Sequence, residues 1–462
     1  MDYNTILDTD SYKTSHGPQF PPKTEKLYSH FEARGTDTNI KSTVFFGLQY
    51  IIKKFLKTPI TQAHVEEAAE FCKNHGVPFN REGWEYILQE YNGYIPVRIK
   101  AVKEGTVVPL KNTLMTIEST DPKVFWVGSY LETMLVRVWY PITVATISWH
   151  VKQVIMRSLD KTSDDPSEIY FKLHDFGARG VSSLESSEIG GAAHLVNFKG
   201  SDTIMGVRCA NKYYNEPMSA FSIPASEHDT MTAWTRDNEL GAYDNMLETY
   251  HSNGIFAMVL DSYNIWNAID NIIGGPLKQK IIDTEAVVVI RPDSGDPVEV
   301  VLKCLQKLEA IFGSTANSKG YRILNNNVRV IQGDGCTPQM VENILMVINN
   351  NGYSTTNVAF GMGGGLLQKL NRDTFKFALK GAMVTIDGED VEIWKSPIDD
   401  KVKVSKKGYQ SLILENGEYK TVNVKDHPDD LLEVVYENGK ILREQTLEEI
   451  RNLSEQKKEV LI

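Results

Sequence analysis

Arg291-Pro292-Asp293-Ser294-Gly295-Asp296 sets an arginine and carboxylates side by side, directly after the apolar run Val287–Ile290. Such a cluster is either a structural ion pair or a cradle for a Mg²⁺-bound phosphate. In the second case the guanidinium takes phosphate oxygens, and the carboxylate holds the metal directly or through water. Asp261, closing the run Phe256–Leu260, is a natural companion. Gly361-Met362-Gly363-Gly364-Gly365-Leu366-Leu367 lies between an apolar run and a helical pattern. Its glycines permit either a tight turn or the approach of backbone N–H groups to a phosphate. Gly333-Asp334-Gly335 is a second loop of this kind. His228, in Ser226-Glu227-His228, reads as a structural histidine or a catalyst. Phe176 and Tyr12 are by default core and surface aromatics, and Asp202 is by default a helix cap.

These residues need elements to position them. From about residue 170, short apolar runs without alternation each end in a Gly, Asp, Arg or His cluster. They are Tyr170–Leu173, Leu195–Phe198, Phe221–Pro224, Phe256–Leu260, Val287–Ile290, Val328–Ile331 and Val358–Phe360. Continuous apolar runs suit a parallel sheet buried on both faces. Polar residues at parallel-strand C-termini are where such sheets place chemistry. The helix expected after Asp296 carries Val298, Val301, Leu305 and Leu308 on one face. The repetition predicts an α/β fold with an irregular (β/α) barrel over 151–385. An α+β domain is expected from 1–150, completed by a tail over 386–462 that packs on it. In the first region a helix is expected from Thr61 to Gly76, with strands at Pro96–Val102 and Leu114–Ile117. Phe125–Arg157 reads as helical with an interruption at Pro141.

Composition narrows the partners. The chain has 462 residues, with Lys+Arg 49 against Asp+Glu 60 and a formal net charge of −11. This balance argues against nucleic acid or an anionic membrane as partner. Met1-Asp2-Tyr3-Asn4 lacks the character of a secretory signal, and the charge-free run 343–368 is broken by Asn and Gly. Cys72, Cys209, Cys304 and Cys336 form no CxxC pair, and no HExxH or HxxxH occurs. A cytoplasmic protein without a zinc site is the expectation. The absence of GxSxG, GxxxxGK[ST] and a strand–helix GxGxxG removes support from three enzyme classes.

Several long motifs occur in order: Thr9-Asp10-Ser11-Tyr12-Lys13, His174-Asp175-Phe176-Gly177-Ala178-Arg179-Gly180, Lys199-Gly200-Ser201-Asp202-Thr203, Ile290–Gly295, Ile331–Gly335, Gly363–Leu370 and Ser405–Gly408. Together they resemble the nicotinamide phosphoribosyltransferase group of type II phosphoribosyltransferases. The resemblance implies a homodimer that joins nicotinamide to the ribose of phosphoribosyl pyrophosphate (PRPP), giving nicotinamide mononucleotide and pyrophosphate. It implies that Phe176 stacks on the pyridine ring, with Tyr12 of the partner subunit opposite, and that Asp202 accepts from the carboxamide. Arg179, Arg291, Asp293, Gly333, Asp334, Gly363 and Gly364 would hold the phosphoribosyl group, joined by Arg372, Lys380 and Lys403 from the other subunit. Asp261 and Asp293 would organise Mg²⁺ and pyrophosphate. His228 would be phosphorylated by ATP in an optional turnover. Ala257 and Ala378 stand where the family's animal members usually have serine.

The chemistry agrees with this resemblance. A pyridine nitrogen carries a free lone pair, so no general base is required. The demand is to stabilise departing pyrophosphate while C1 of the ribose becomes cationic. Two rivals remain at this level. One is a nicotinate phosphoribosyltransferase. The other is a barrel that binds a phosphorylated metabolite without turnover.

Overall fold

Uninterrupted apolar runs in the second half of the chain fold as parallel strands, an outcome their lack of alternation suits. The computed structural model describes residues 3–398 and 404–456. It divides into one unit of residues 1–146, 210–216 and 371–462, and a second of 147–209 and 217–370.

The second unit carries a six-stranded sheet, all parallel. Its order is Gly200–Ser201, Leu173–Asp175, Val358–Met362, Val328–Gln332, Val287–Arg291, Ile255–Val259. Phe221 bridges in parallel to Gly200 at one edge, and Ala225 bridges in parallel to Ala257 at the other. The segment 221–225 therefore links the two edges into the expected irregular barrel. It makes single bridges rather than a full strand because Pro224 lacks the N–H a ladder needs. Helix Pro297–Phe312 packs on the sheet through fully buried Val301, Leu305 and Leu308, while Val298 is half-buried. Val288, Ile290, Val330 and Phe360 are also fully buried. Each such side chain contributes about 1.5–3 kcal/mol.

Two expected strands are different elements. Leu195–Phe198 is a buried turn after helix Leu184–His194, and the Leu195 N–H returns to Ala192 and Gly191 carbonyls. Tyr170 and Phe171 belong to a 3-10 helix opened by Pro166, and the strand begins only at Leu173. Short apolar runs have no period by which to separate these outcomes.

The first unit centres on a seven-stranded sheet in which Thr24–Ala33 pairs antiparallel with Phe377–Ile386 and Thr113–Ser119. Val97–Ala101 alternates buried and half-buried positions, and pairs with Glu433–Glu437 from the tail. Thr61 caps helix Gln62–His75 by accepting from the His64 N–H, and Gly76 ends it at φ +82°. The interruption expected at Pro141 falls earlier, after Glu132–Val136, and Pro141 sits in the first turn of helix Trp139–Thr162. There its missing N–H costs nothing, because first-turn N–H groups have no intrahelical partner. No helix among the described residues is long and apolar enough to cross a membrane.

Candidate active site

Every strand of the parallel sheet ends at a residue singled out by the sequence: Phe176, Asp202, Asp261, Arg291 with Asp293, Gly333 with Asp334, and Gly363. All but Asp261 line one cavity of about 880 Å³, together with Arg179, His228 and Gly364. Asp261 lies just beneath it. Its Oδ2 accepts from the Asp293 N–H at 3.2 Å, and its Oδ1 is 3.8 Å from His228 Nε2.

Arg291 and Asp293 form the centre. Arg291 Nη2 and Nε donate to Asp293 Oδ1 at 2.8 and 3.2 Å, and the guanidinium carbon is 5.8 Å from the Phe176 ring centroid. Asp293 Oδ2 faces His228 Nε2 at 3.4 Å, while His228 Nδ1 meets Ser262 Oγ at 3.1 Å. The imidazole is thus held by both nitrogens with its ring 46% exposed toward the cavity.

The Phe176 ring lies on glycine. A Cβ at Gly361 would stand 2.0 Å from Phe176 Cε2, and one at Gly333 would stand 3.2 Å from the same atom. Gly361 is therefore obligatory for the ring to lie against its strand. Beneath Phe176 the interior is apolar, built from Ala257, Val289 and Ile331 with Ile223 against them. Ala257 thus joins a hydrophobic cluster. A Cβ at Gly364 meets nothing within 4 Å, so the loop is open at this residue.

Asp202 does not spend its side chain on a helix. Ser222 Oγ donates to its Oδ1 at 2.5 Å, and the Asp202 N–H is tied to the Asp175 carbonyl at 3.0 Å. Ser222 and Ser262 were absent from the sequence-derived set. Ser222 is far along the chain from Asp202, and no local pattern marks it. Cys336 also lines the cavity, but burial pushes its thiol up to about 12, which removes it as a nucleophile.

The cavity wall carries Asp202, Glu227, Asp229, Asp293 and Asp334 against Arg179, Arg291 and Lys369. Five acids against three strong cations leave the wall without a cationic surplus for a polyanion. Asp261 Oδ1 is buried and has no hydrogen-bond partner among the described residues. That orphaned oxygen beside Asp293 fits a divalent cation. No cluster of three or more His, Cys, Asp or Glu able to cage a metal occurs among the described residues. The pair suits an ion that brings phosphate and water oxygens as its remaining ligands.

Tyr12, Arg372 and Lys380 belong to the first unit. Tyr12 is 60% exposed and Arg372 is 58% exposed at its side chain. Lys380 Nζ is 3.7 Å from Glu132, which also pairs with buried Lys13. Burial holds the Lys380 ammonium below the ordinary lysine range. Glu132 opposes this, and the charges of Arg34, Lys13 and Arg372 add to it. Lys403 lies outside the described residues.

Parallel strands that deliver glycine loops, an arginine and carboxylates to one rim suit an α/β enzyme that handles phosphoryl or phosphoribosyl groups. The fold matches the solved nicotinate-nucleotide pyrophosphorylase of Pyrococcus furiosus, with TM-score 0.64, 16% identity and 99% and 96% of the two chains covered. It also matches human nicotinic acid phosphoribosyltransferase, with TM-score 0.57, 15% identity and 97% and 93% covered. Residues 171–440 match the nicotinate phosphoribosyltransferase (NAPRTase) family, and residues 4–99 match the nicotinamide phosphoribosyltransferase N-terminal domain. The nicotinamide phosphoribosyltransferase of Xanthomonas campestris is 52% identical over 458 residues, spanning 97% of each chain. That of Acinetobacter baylyi is 30% identical, spanning 97% and 96%. The chain belongs to the nicotinate phosphoribosyltransferase family.

Proposed function

We propose that this enzyme is a nicotinamide phosphoribosyltransferase serving NAD salvage. The pyridine nitrogen of nicotinamide attacks C1 of PRPP with its own lone pair. The C1–O bond to pyrophosphate breaks, and pyrophosphate departs with the bonding electrons. Nicotinamide mononucleotide and pyrophosphate are the products.

The observation that carries this reading is Asp202, a carboxylate held by Ser222 on the same cavity wall as Phe176 and Arg291. A carboxamide N–H donates to such a group, whereas nicotinate brings a second negative charge. Two like charges about 4 Å apart at an effective dielectric near 20 repel by roughly 4 kcal/mol, on the order of a thousandfold in binding. Phe176 would hold the ring flat near C1, so much of the acceleration is positional. Arg179 and the Gly333 and Gly363–Gly364 amides would take the phosphoribosyl oxygens, and Arg291 would stabilise the leaving group. Asp261 and Asp293 would hold Mg²⁺, which neutralises charge on pyrophosphate when bound.

The acidic wall of the cavity supports a shared site in a homodimer, with Tyr12, Arg372, Lys380 and Lys403 of the partner subunit completing it. His228, exposed and held between Ser262 and Asp293, supports the optional use of ATP through a phosphohistidine. The reading also implies a cytoplasmic enzyme.

The test supplies PRPP, Mg²⁺ and either base, with product detected as mononucleotide and as released pyrophosphate. Preferential use of nicotinate would overturn the base assignment, and no pyrophosphate with either base would overturn the transfer itself.

A further inference from the structure

Asp175 is a fully buried carboxylate that lines no part of the cavity and has no role in the transfer described above. It ends strand Leu173–Asp175, paired in register with Ser201 on one side and Met362 on the other. Its Oδ1 accepts from the Gly177 N–H at 2.7 Å. The chain between these two residues is Phe176, whose own N–H donates to the Met362 carbonyl at 3.1 Å. The bend continues through Gly180 N–H to the Gly177 carbonyl at 2.9 Å, and Arg179 stands on that turn. The Asp175 carbonyl takes the Asp202 N–H.

Burial of a carboxylate is costly, and here it is not repaid by a cation. Desolvation raises its pKa to about 6 and the Asp202 charge adds to this, while the Gly177 amide favours the ionised form. A residue kept at such a cost, at the root of three substrate-facing side chains, has a use beyond filling the core.

We propose that Asp175 is a positioning residue for phosphoribosyl transfer: by accepting the Gly177 N–H it sets the bend that aims Phe176 at the base and Arg179 at the phosphates. The proposal rests on the roles given above to Phe176 and Arg179. Its content is geometric, since the acceptor atom matters and the charge does not.

Asp175→Asn, Asp175→Glu and Asp175→Ala in the full chain separate these. Asn keeps an oxygen at the same distance, Glu keeps the charge but moves the acceptor by one methylene, and Ala removes it. The KM for nicotinamide, the KM for PRPP, kcat and the unfolding temperature are measured for each. Asn is expected within about threefold of the parent in both KM values, while Glu and Ala raise both by about tenfold or more. A merely structural role would lower the active fraction, and so kcat, with KM unchanged. The proposal is overturned if Asn is as impaired as Glu, or if Ala keeps both KM values. Should Glu and Ala fail to fold, Asn decides alone, because a tenfold rise in its KM values overturns the proposal and parent-like values support it. Failure of the parent protein to make nicotinamide mononucleotide would instead sink the base reading, independently of these variants.

Discussion

Ser222 Oγ donates to Asp202 Oδ1 at 2.5 Å, which commits one carboxylate oxygen to the protein and leaves the other for a ligand. The carboxylate proposed to select the base is therefore oriented by the protein itself. Ser222→Ala frees Asp202 to rotate and should raise the KM for nicotinamide about threefold to tenfold with the KM for PRPP unchanged. Equal KM values in parent and variant would show the hydroxyl to be a bystander.

Asp202→Ser removes the charge proposed to oppose nicotinate. The ratio of kcat/KM for nicotinamide over nicotinate should fall by at least about a hundredfold, with PRPP binding largely intact. A preserved ratio in a competition assay at equal base concentrations would assign selectivity elsewhere.

Gly361→Ala places a methyl group where the Phe176 ring now lies. The ring must lift from its strand, and the KM for nicotinamide should rise about tenfold or more. Base titration at saturating PRPP reads this directly, and an unchanged KM would mean that Phe176 is not the platform.

The shared site proposed above is open to a complementation test. Asp293→Asn and Arg372→Ala chains should each be nearly inactive as homodimers. Refolded together in equal amounts, they should recover about a quarter of the parent activity, because half the dimers are mixed and each has one intact site. No recovery, despite mixed dimers seen by mass, would place both residues in one chain's site.

The buried Asp175 predicts a pH dependence of stability. Its folded pKa of about 6 lies above the unfolded value of 3.8, so the folded state holds the proton more tightly. This contribution is fully present below pH 3.8 and is lost as pH rises through 6, amounting to at most about 3 kcal/mol. Asp175→Asn has nothing to lose, so its stability relative to the parent should rise between pH 4.5 and 7.5. Parallel denaturation profiles for the two proteins across that range would refute the assignment.

Apolar runs ending in charged or glycine clusters are local features, and their meaning survived folding. Val287–Arg291, Val328–Gln332 and Val358–Met362 are strands, and the residues that follow them reach one cavity. Where the run was short and flanked by helix, as at Leu195–Phe198, the same signal became a turn. Hydrophobicity records burial there, not the backbone conformation that achieves it.

Residue type and spacing were thus enough to determine most of the strand ends, the acid–arginine cluster and the glycine loops. Each depends on neighbours a few positions away. Tertiary structure decided which ends meet. The strand order, starting at Gly200 and running through Leu173 to Val358, is not the chain order. The Ser222 bond to Asp202, the Ser262 contact to His228 and the seat that Gly361 makes for Phe176 all join segments distant along the chain. Such contacts are created by barrel closure and close packing, and one strand's own sequence carries no record of its neighbour's side chains.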